Sequence, residues 1–451
     1  MPTIFLTCFH SLLVRNVLVP VLPQLTSRGI RAVLVVPDYK LEYFRKTFGG
    51  PSVIVEGVTP NLPTRSFLGL FFKRLNANMV RSQTVTIQQR YKREVEGKFL
   101  YYYGFFLPLR LLGALGFFVK LVHYFDYRLS PSGFIGPLLE CYRPDAVVLA
   151  DVQNENDVAI AQCSRRRGIR TIGMVRSWDN LTQYGSRFIP DHLLVSSEVI
   201  KSEAMRFLGM KPADITVIGI PHYDRYLTEP LEGREEFFSK YGLNPRKKTI
   251  FFAPVGDIYV FRNALDRAIL EALSEMDVNV VVRFPPNDTV KCLDGYKPRA
   301  NVWFDRPGQD FGCRGVQVKE LTADDDKRLM AAIGASDVVI AGASTILVDG
   351  FLLGRPAILL AADSLEGLDY LRSTRRYLDY DHIKSLVKSG AARVVCNLEE
   401  MSQAVAKYLA DPGLDREARK NFVVSYCGGK LDGKSSRRTA DAMLYFLDIA
   451  S

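Results

Sequence analysis

At 451 residues, with 47% hydrophobic and 24% charged positions, the chain is too long for one core and too ordinary in composition for wholesale disorder. Its formal charge of +10 points to an anionic partner: nucleic acid, acidic phospholipid or a phosphorylated substrate. Seven scattered cysteines, odd in number and without a CxxC pair, and five unclustered histidines argue against a disulfide framework or a zinc site and for a reducing compartment.

The chain opens on MPTIFLTCFH, which lacks the basic start and long apolar run of a signal peptide and reads as a buried strand over Thr3–Thr7. His10 follows that strand and is a candidate base. Short β-branched runs then recur at Ala32–Val36, Ala146–Leu149, Arg170–Met174, His192–Ser196 and Ile215–Ile218, each followed by a segment of helical length. Their apolarity is continuous rather than alternating, the pattern of parallel strands covered on both faces. After Ala146–Leu149 come Asp151, Glu155 and Asp157, which read as solvated loop acids. After Arg170–Met174 come Arg176, Asp179 and Asn180, at the edge where such sheets bind ligands. There Asp179 can take a proton from an acceptor hydroxyl, with Arg176 and Asn180 beside it on the acceptor side.

Residues Arg65 to Arg128 break this rhythm. Basic side chains (Lys73, Arg74, Lys92, Arg93 among them) alternate there with Phe67, Phe71, Phe99, Tyr103 and Phe117, and acids are few. Basic and aromatic residues on helices suit the interface of an anionic membrane. Charges at Arg110 and Lys120 interrupt the apolar stretch Phe99–Leu129, so no span of the roughly 20 residues that a bilayer requires is expected. No recognition-helix, RNP or zinc-finger signature accompanies the charge, which argues against nucleic acid.

A second strand series begins after the charged, Pro- and Gly-bearing stretch Thr228–Lys248: Thr249–Ala253, Val278–Val282, Val302–Phe304, Val338–Ala341, Ala357–Leu360 and Arg393–Cys396. Two series predict two doubly wound, Rossmann-like α/β domains facing a cleft. The expected division is residues 1–228 with a helical insertion at about 65–128, a linker 229–247, a donor domain 248–434 and a C-terminal helix 435–451. Thr322 and Asp325 mark a helix start, Val338–Ala341 is a strand, and Gly342-Ala343 turns into a helix opened by Ser344 and Thr345. Backbone amides at that helix start suit a diphosphate. Asp349, four residues beyond Thr345, shares its helical face and can accept hydrogen bonds from sugar or ribose hydroxyls. Pro254 and Asp257 close one strand and Arg283 the next, all at the same sheet edge.

These pieces, in the order Ala253-Pro254-Val255-Gly256-Asp257, Arg283-Phe284-Pro285-Pro286, Ser336 to Leu360 and Asp432-Gly433-Lys434-Ser435-Ser436-Arg437-Arg438, resemble the C-terminal domain of GT-B glycosyltransferases. Within these they are most similar to CDP-glycerol glycerophosphotransferase-like enzymes of teichoic-acid and capsule synthesis. Gly219, Pro221 and Asp224 stand where that family has a G-x-P-x-x-D signature. The resemblance implies a nucleotide-activated donor held by Pro254, Asp257, Arg283, Ser344, Thr345, Asp349, Lys434 and Ser435. It further implies a glycan or lipid-linked acceptor, no cofactor beyond the donor, no metal, and a place on the cytoplasmic face of the membrane. Where the family carries Trp-His-Gly and Arg-Pro-His-Pro, this chain has Trp178-Asp179-Asn180 and Arg283-Phe284-Pro285-Pro286. Both family histidines are absent, which favours a sugar-transferring relative and leaves Asp179, with His10 as runner-up, as the base. A UDP-sugar 2-epimerase-like enzyme and a non-catalytic subunit of an envelope-polysaccharide complex are the alternatives; oligomeric state stays open.

Overall fold

The structure, a computed structural model, describes residues 1–10, 14–60, 66–131, 133–311 and 319–447. The Arg65 end of the insertion, Cys313 and the last four residues of the expected C-terminal helix lie outside the described residues. The first domain is a seven-stranded parallel sheet in the order β3-β2-β1-β4-β5-β6-β7. Its strands are β1 (Thr3–Thr7), β2 (Arg31–Pro37), β3 (Val53–Val58), β4 (Ala146–Leu149), β5 (Arg170–Met174), β6 (His192–Val195) and β7 (Ile215–Val217). The second is a six-stranded parallel sheet, β10-β9-β8-β13-β14-β15. It comprises β8 (Lys248–Ala253), β9 (Val278–Arg283), β10 (Val302–Asp305), β13 (Val338–Ala341), β14 (Ala357–Leu360) and β15 (Arg393–Val395). A two-stranded antiparallel pair, β11 (Gln309–Asp310) and β12 (Lys319–Glu320), stands apart from both.

Continuous apolar strands have continuous burial because each sheet is covered on both faces. In β1, Ile4 and Leu6 pack into one layer with Val17, Leu25 and Met443, while Phe5 packs into the other with Val33 and Val147. The second sheet repeats this, with Ile250 and Phe252 on one side and Phe251 and Val281 on the other. Each such side chain contributes roughly 1.5–3 kcal/mol on leaving water. Strand order reverses between β1 and β4 in one sheet and between β8 and β13 in the other. Those two switch points, at the carboxyl ends of the strands, are where the fold opens crevices.

Two of the expected boundaries move. The stretch 229–247 carries a helix, Arg234–Tyr241, whose Phe237 and Phe238 are fully buried and whose Tyr241 stacks on Trp303 with ring centroids 3.9 Å apart. It belongs to the second core. The C-terminal helix, Ser435–Phe446, crosses back to the first domain, where Ala440, Met443 and Leu444 join the core around β1 and Arg170 donates to the Phe446 carbonyl at 2.8 Å.

The insertion forms helices Phe67–Met79 and Gln83–Glu94, then a run Phe99–Leu112 with a π-helical middle, then Gly116–Leu129. The first, third and fourth of these share a small core of Phe72, Leu75, Met79, Leu109 and Val122, while Val85 of Gln83–Glu94 packs with Val80 and Phe106. Buried Asp126 ties them to the first domain by accepting from Arg187 Nε at 2.8 Å and Nη2 at 2.7 Å. Among the described residues no single helix is long and apolar enough to cross a membrane; Phe99–Leu112 and Gly116–Leu129 pass that test only together, bent by 107°.

Candidate active site

The crevice at the switch point of the second sheet holds a cavity of about 410 Å³. Its walls come from the loops that leave β8 (Pro254, Val255), β9 (Arg283 to Pro286) and β13 (Gly342 to Ile346), with Tyr259 and Tyr377 at the rim. A smaller cavity of about 70 Å³ adjoins it on the first-domain side, between the ends of β5, β6 and β7, lined by Arg176, Trp178, His222 and Tyr223. Arg15, Thr345 and Asp349 line both.

Pro254, Arg283, Ser344, Thr345 and Asp349 therefore meet at one cavity, as the sequence predicts, but several are already engaged. Arg283 is 5% exposed; its Nη1 pairs with Asp305 and its Nη2 donates to the Asp325 carbonyl at 3.1 Å. That commitment replaces the free phosphate-binding guanidinium expected there. The helix after β13 runs over Ile346–Leu352, opening just after the expected Ser344 and Thr345, with Thr345 as its N-cap. In the tight turn before it the Ser344 amide donates to the Gly342 carbonyl at 2.8 Å, and Ser344 Oγ accepts from the Ile346 amide at 3.3 Å. Of the two amides assigned to a diphosphate, Ser344 is thus spent within the turn. Asp349 lines both cavities but is already engaged: it is buried and accepts from the Tyr226 hydroxyl at 2.6 Å, an interaction that joins the domains. Burial raises its pKa, and Arg15 opposes that rise.

Three predicted donor residues lie elsewhere. Asp257 accepts from the Thr289 hydroxyl at 2.6 Å and the Lys291 amide at 3.1 Å, fastening the loop after β9 outside the cavity lining. Ser435 is buried at the start of the C-terminal helix, where its amide donates to Asp224 Oδ1 at 2.9 Å; the Ser436 amide and hydroxyl donate to Asp224 Oδ2, each at 2.7 Å. Gly219, with φ at +80°, permits this contact, since a Cβ there would lie 2.4 Å from Ser435 Oγ. Lys434 is exposed beside it. The G-x-P-x-x-D residues and the serines after Lys434 thus form one structural joint rather than a donor site.

On the first-domain side, Arg176 Nη1 pairs with Asp151 at 2.9 Å while its side chain lines the smaller cavity. Asp179 follows the cavity-lining Trp178 but is itself outside both linings, and its Oδ2 accepts from Gln183 Nε2 at 2.7 Å. Its carboxylate acts electrostatically on Tyr259 of the larger cavity and Tyr426 of the smaller. Asn180 is fully buried with neither side-chain amide atom bonded. Trp178, just before them, is boxed edge-on by His382, Phe422 and Tyr426, with centroids 5.3, 6.3 and 5.0 Å away. His10 lies outside both linings, and burial, helped by Arg176 and Lys40, pulls its pKa down to about 3. An imidazole with so low a proton affinity is a poor base near neutrality. Asp151, Glu155 and Asp157, read as solvated, are all buried. Arg176 and Arg187 pair with the first two, and the Asp151 amide donates to Asp157 at 2.9 Å.

The residue that sequence reasoning missed is Arg15. It sits on a single π-helical turn, Val14–Leu18, after β1, a local form frequent at functional sites. In the sequence it is a lone arginine between Val14 and Asn16, with no motif around it. Among the described residues no group of three or more His, Cys, Asp or Glu is placed to hold a metal ion.

A family model described as CDP-Glycerol:Poly(glycerophosphate) glycerophosphotransferase matches residues 172–445. No curated protein matches the chain. Solved structures match over its whole length. Staphylococcus aureus MnaA with UDP superposes at a TM-score of 0.58, with 12% identity, covering 100% of this chain and 98% of that one. The UDP-GlcNAc 2-epimerase from Neisseria meningitidis bound to UDP-GlcNAc gives 0.57 and 12%, covering 99% and 100%. A glycosyltransferase from Rickettsia africae gives 0.51 and 12%, covering 100% and 99%. At such identities the likeness establishes the two-domain GT-B fold.

Proposed function

Because the chain belongs to the CDP-glycerol:poly(glycerophosphate) glycerophosphotransferase family, we propose that it binds a nucleotide-activated donor in the larger cavity and transfers its polyol-phosphate or glycosyl group to a surface glycan or lipid-linked acceptor. The observation that carries this is the cavity's position at the switch point of the second sheet, roomy enough at about 410 Å³ for a nucleotide and open to the first domain through Arg15 and Thr345. The acceptor hydroxyl enters from the smaller cavity and attacks the donor's reacting centre. That centre is phosphorus for a CDP-polyol, with CMP leaving, or the anomeric carbon for a nucleotide sugar, with the nucleoside diphosphate leaving. The hydroxyl proton passes to Asp179, and the negative charge developing on the leaving group is met by preorganised donors, for which Thr345 and Arg15 are best placed. The exposed basic-aromatic insertion rests on an anionic membrane and brings the cleft to a lipid-linked acceptor at the cytoplasmic face.

Product analysis tests the reading. Purified protein is incubated with CDP-glycerol or nucleotide sugars, with and without acceptor lipids, and the released nucleotide is identified. Acceptor-dependent CMP release marks polyol-phosphate transfer; nucleoside diphosphate release marks glycosyl transfer. The fold is also that of UDP-GlcNAc 2-epimerases, and an altered sugar still attached to its nucleotide would replace the transferase reading with that one. Tight binding without release of any nucleotide would leave a non-catalytic subunit.

A further inference from the structure

Among the described residues Arg15 is the one cation that lines both cavities, and its guanidinium is incompletely used. Its side chain is 11% exposed. Nε lies 2.6 Å from Asp326 Oδ1, close enough for an ion pair, yet neither atom is in hydrogen-bonding geometry, and Nη2 has no hydrogen-bond partner among the described residues. Asp326 comes from the second domain, at the start of the helix Ala323–Ala335, so the pair bridges the cleft. Arg225 also approaches Asp326, at 3.9 Å. Arg283 is near enough to feel the Arg15 charge, but Asp305 holds it. A buried guanidinium with an open Nη2 and a badly aligned carboxylate is under-satisfied, and such a group gains most from a planar or tetrahedral oxyanion that meets its fork.

We propose that Arg15 is the phosphate-binding residue for the donor, and that the Asp326 carboxylate occupies the place of a phosphate oxygen until the donor displaces it. This rests on the donor reading above and adds to it the residue that selects diphosphate over nucleoside. In the bound state the guanidinium, delivered by the first domain, grips a phosphate held by the second, and Asp326 turns to Arg225. Group transfer then needs both domains in register, because the charge that neutralises the leaving group sits opposite the β13 turn.

Titration calorimetry with CDP, UDP, cytidine and uridine decides the matter in wild type, Arg15→Gln, Arg15→Lys and Asp326→Asn. In the wild type one diphosphate should bind more tightly than its nucleoside. Arg15→Gln should weaken that diphosphate by roughly 10- to 100-fold, the loss expected for a charged hydrogen bond, while changing nucleoside affinity less than about twofold. Arg15→Lys should recover part of the loss, and Asp326→Asn should leave diphosphate binding intact or tighter. If Arg15 merely pins the domains, Arg15→Gln and Asp326→Asn will lower the melting temperature alike and leave the diphosphate-to-nucleoside ratio unmoved, which overturns the proposal. Should Arg15→Gln not fold, an unchanged ratio in Arg15→Lys together with weakened diphosphate binding in Asp326→Asn overturns it. A wild type that binds none of the four probes defeats the donor reading itself; selectivity that persists in Arg15→Gln defeats only the role of Arg15.

Discussion

Arg283 shows how a residue can stand at the right edge and serve another purpose. Reading the strand end alone, one expects a phosphate ligand whose loss spares the fold. In the structure its guanidinium is buried against Asp305 and the Asp325 carbonyl, and Arg328 Nε bonds the other oxygen of Asp305 at 2.7 Å. Arg283→Ala takes one of two arginines from a buried carboxylate that Arg328 still holds, which costs about 1.5–3 kcal/mol; chemical denaturation should show that loss, and activity should fall with stability. Glu203 gives the opposite case. Burial, with Asp381 adding to it, raises its pKa to about 8, and its Oε2 has no partner. A carboxylate whose folded pKa exceeds its unfolded value binds more protons when folded, so stability declines as pH rises from about 4.5 to about 8. Glu203→Gln removes that penalty. The variant should match the wild type at acid pH and gain on the order of a few kcal/mol above pH ~8, read from denaturation midpoints across the pH range.

At the scale of elements, the strands were legible wherever both faces are buried, because continuous Val, Ile and Phe runs have no other stable use. β3 was not, since Val53–Val58 is an edge strand with Glu56 and Gly57 inside it and only two of its residues buried. The helix Arg234–Tyr241 was hidden in a stretch whose charges and prolines read as linker, although Phe237 and Phe238 carried the core signal. The serines after Lys434 were recognised as a motif but not as a cap, because their partner, Asp224, lies 211 residues away. That carboxylate receives three hydrogen bonds from the start of the Ser435–Phe446 helix. Asp224→Ala should cost about 0.5–2 kcal/mol, as lost helix caps do. Gly219→Ala adds a left-handed backbone penalty and a clash with Ser435. Both should raise hydrogen exchange over residues 435–446 before any effect on the second sheet.

Across the whole molecule, the sequence disclosed two domains and a foreign basic-aromatic segment, but not how these touch. Contacts between distant segments have no local pattern: Lys40 buried against Glu320 at 2.6 Å, Tyr226 on Asp349, and Thr84 of the insertion on Asp381 all cross the domain boundary. The last of these connects the insertion to the second domain, and Arg376 lies over the Tyr91 ring at 4.9 Å beside it. Elsewhere the insertion leaves large apolar side chains open, with Leu100 92%, Phe67 80% and Phe117 70% exposed. Such side chains lose roughly 1.5–3 kcal/mol each by staying in water, a penalty that a bilayer interface removes. If Arg and Lys supplied all the attraction, about 1 M salt would abolish binding, because the screening length falls to about 3 Å. If the rings insert, part of the binding survives. Flotation with phosphatidylglycerol-containing vesicles should therefore carry the wild type upward at low salt and a fraction of it at high salt. A Phe67→Ser, Leu100→Ser, Phe117→Ser variant should float weakly at low salt and remain at the bottom at high salt while keeping its nucleotide affinity. Wild type that stays at the bottom even at low salt would mean that this face meets something other than an anionic membrane.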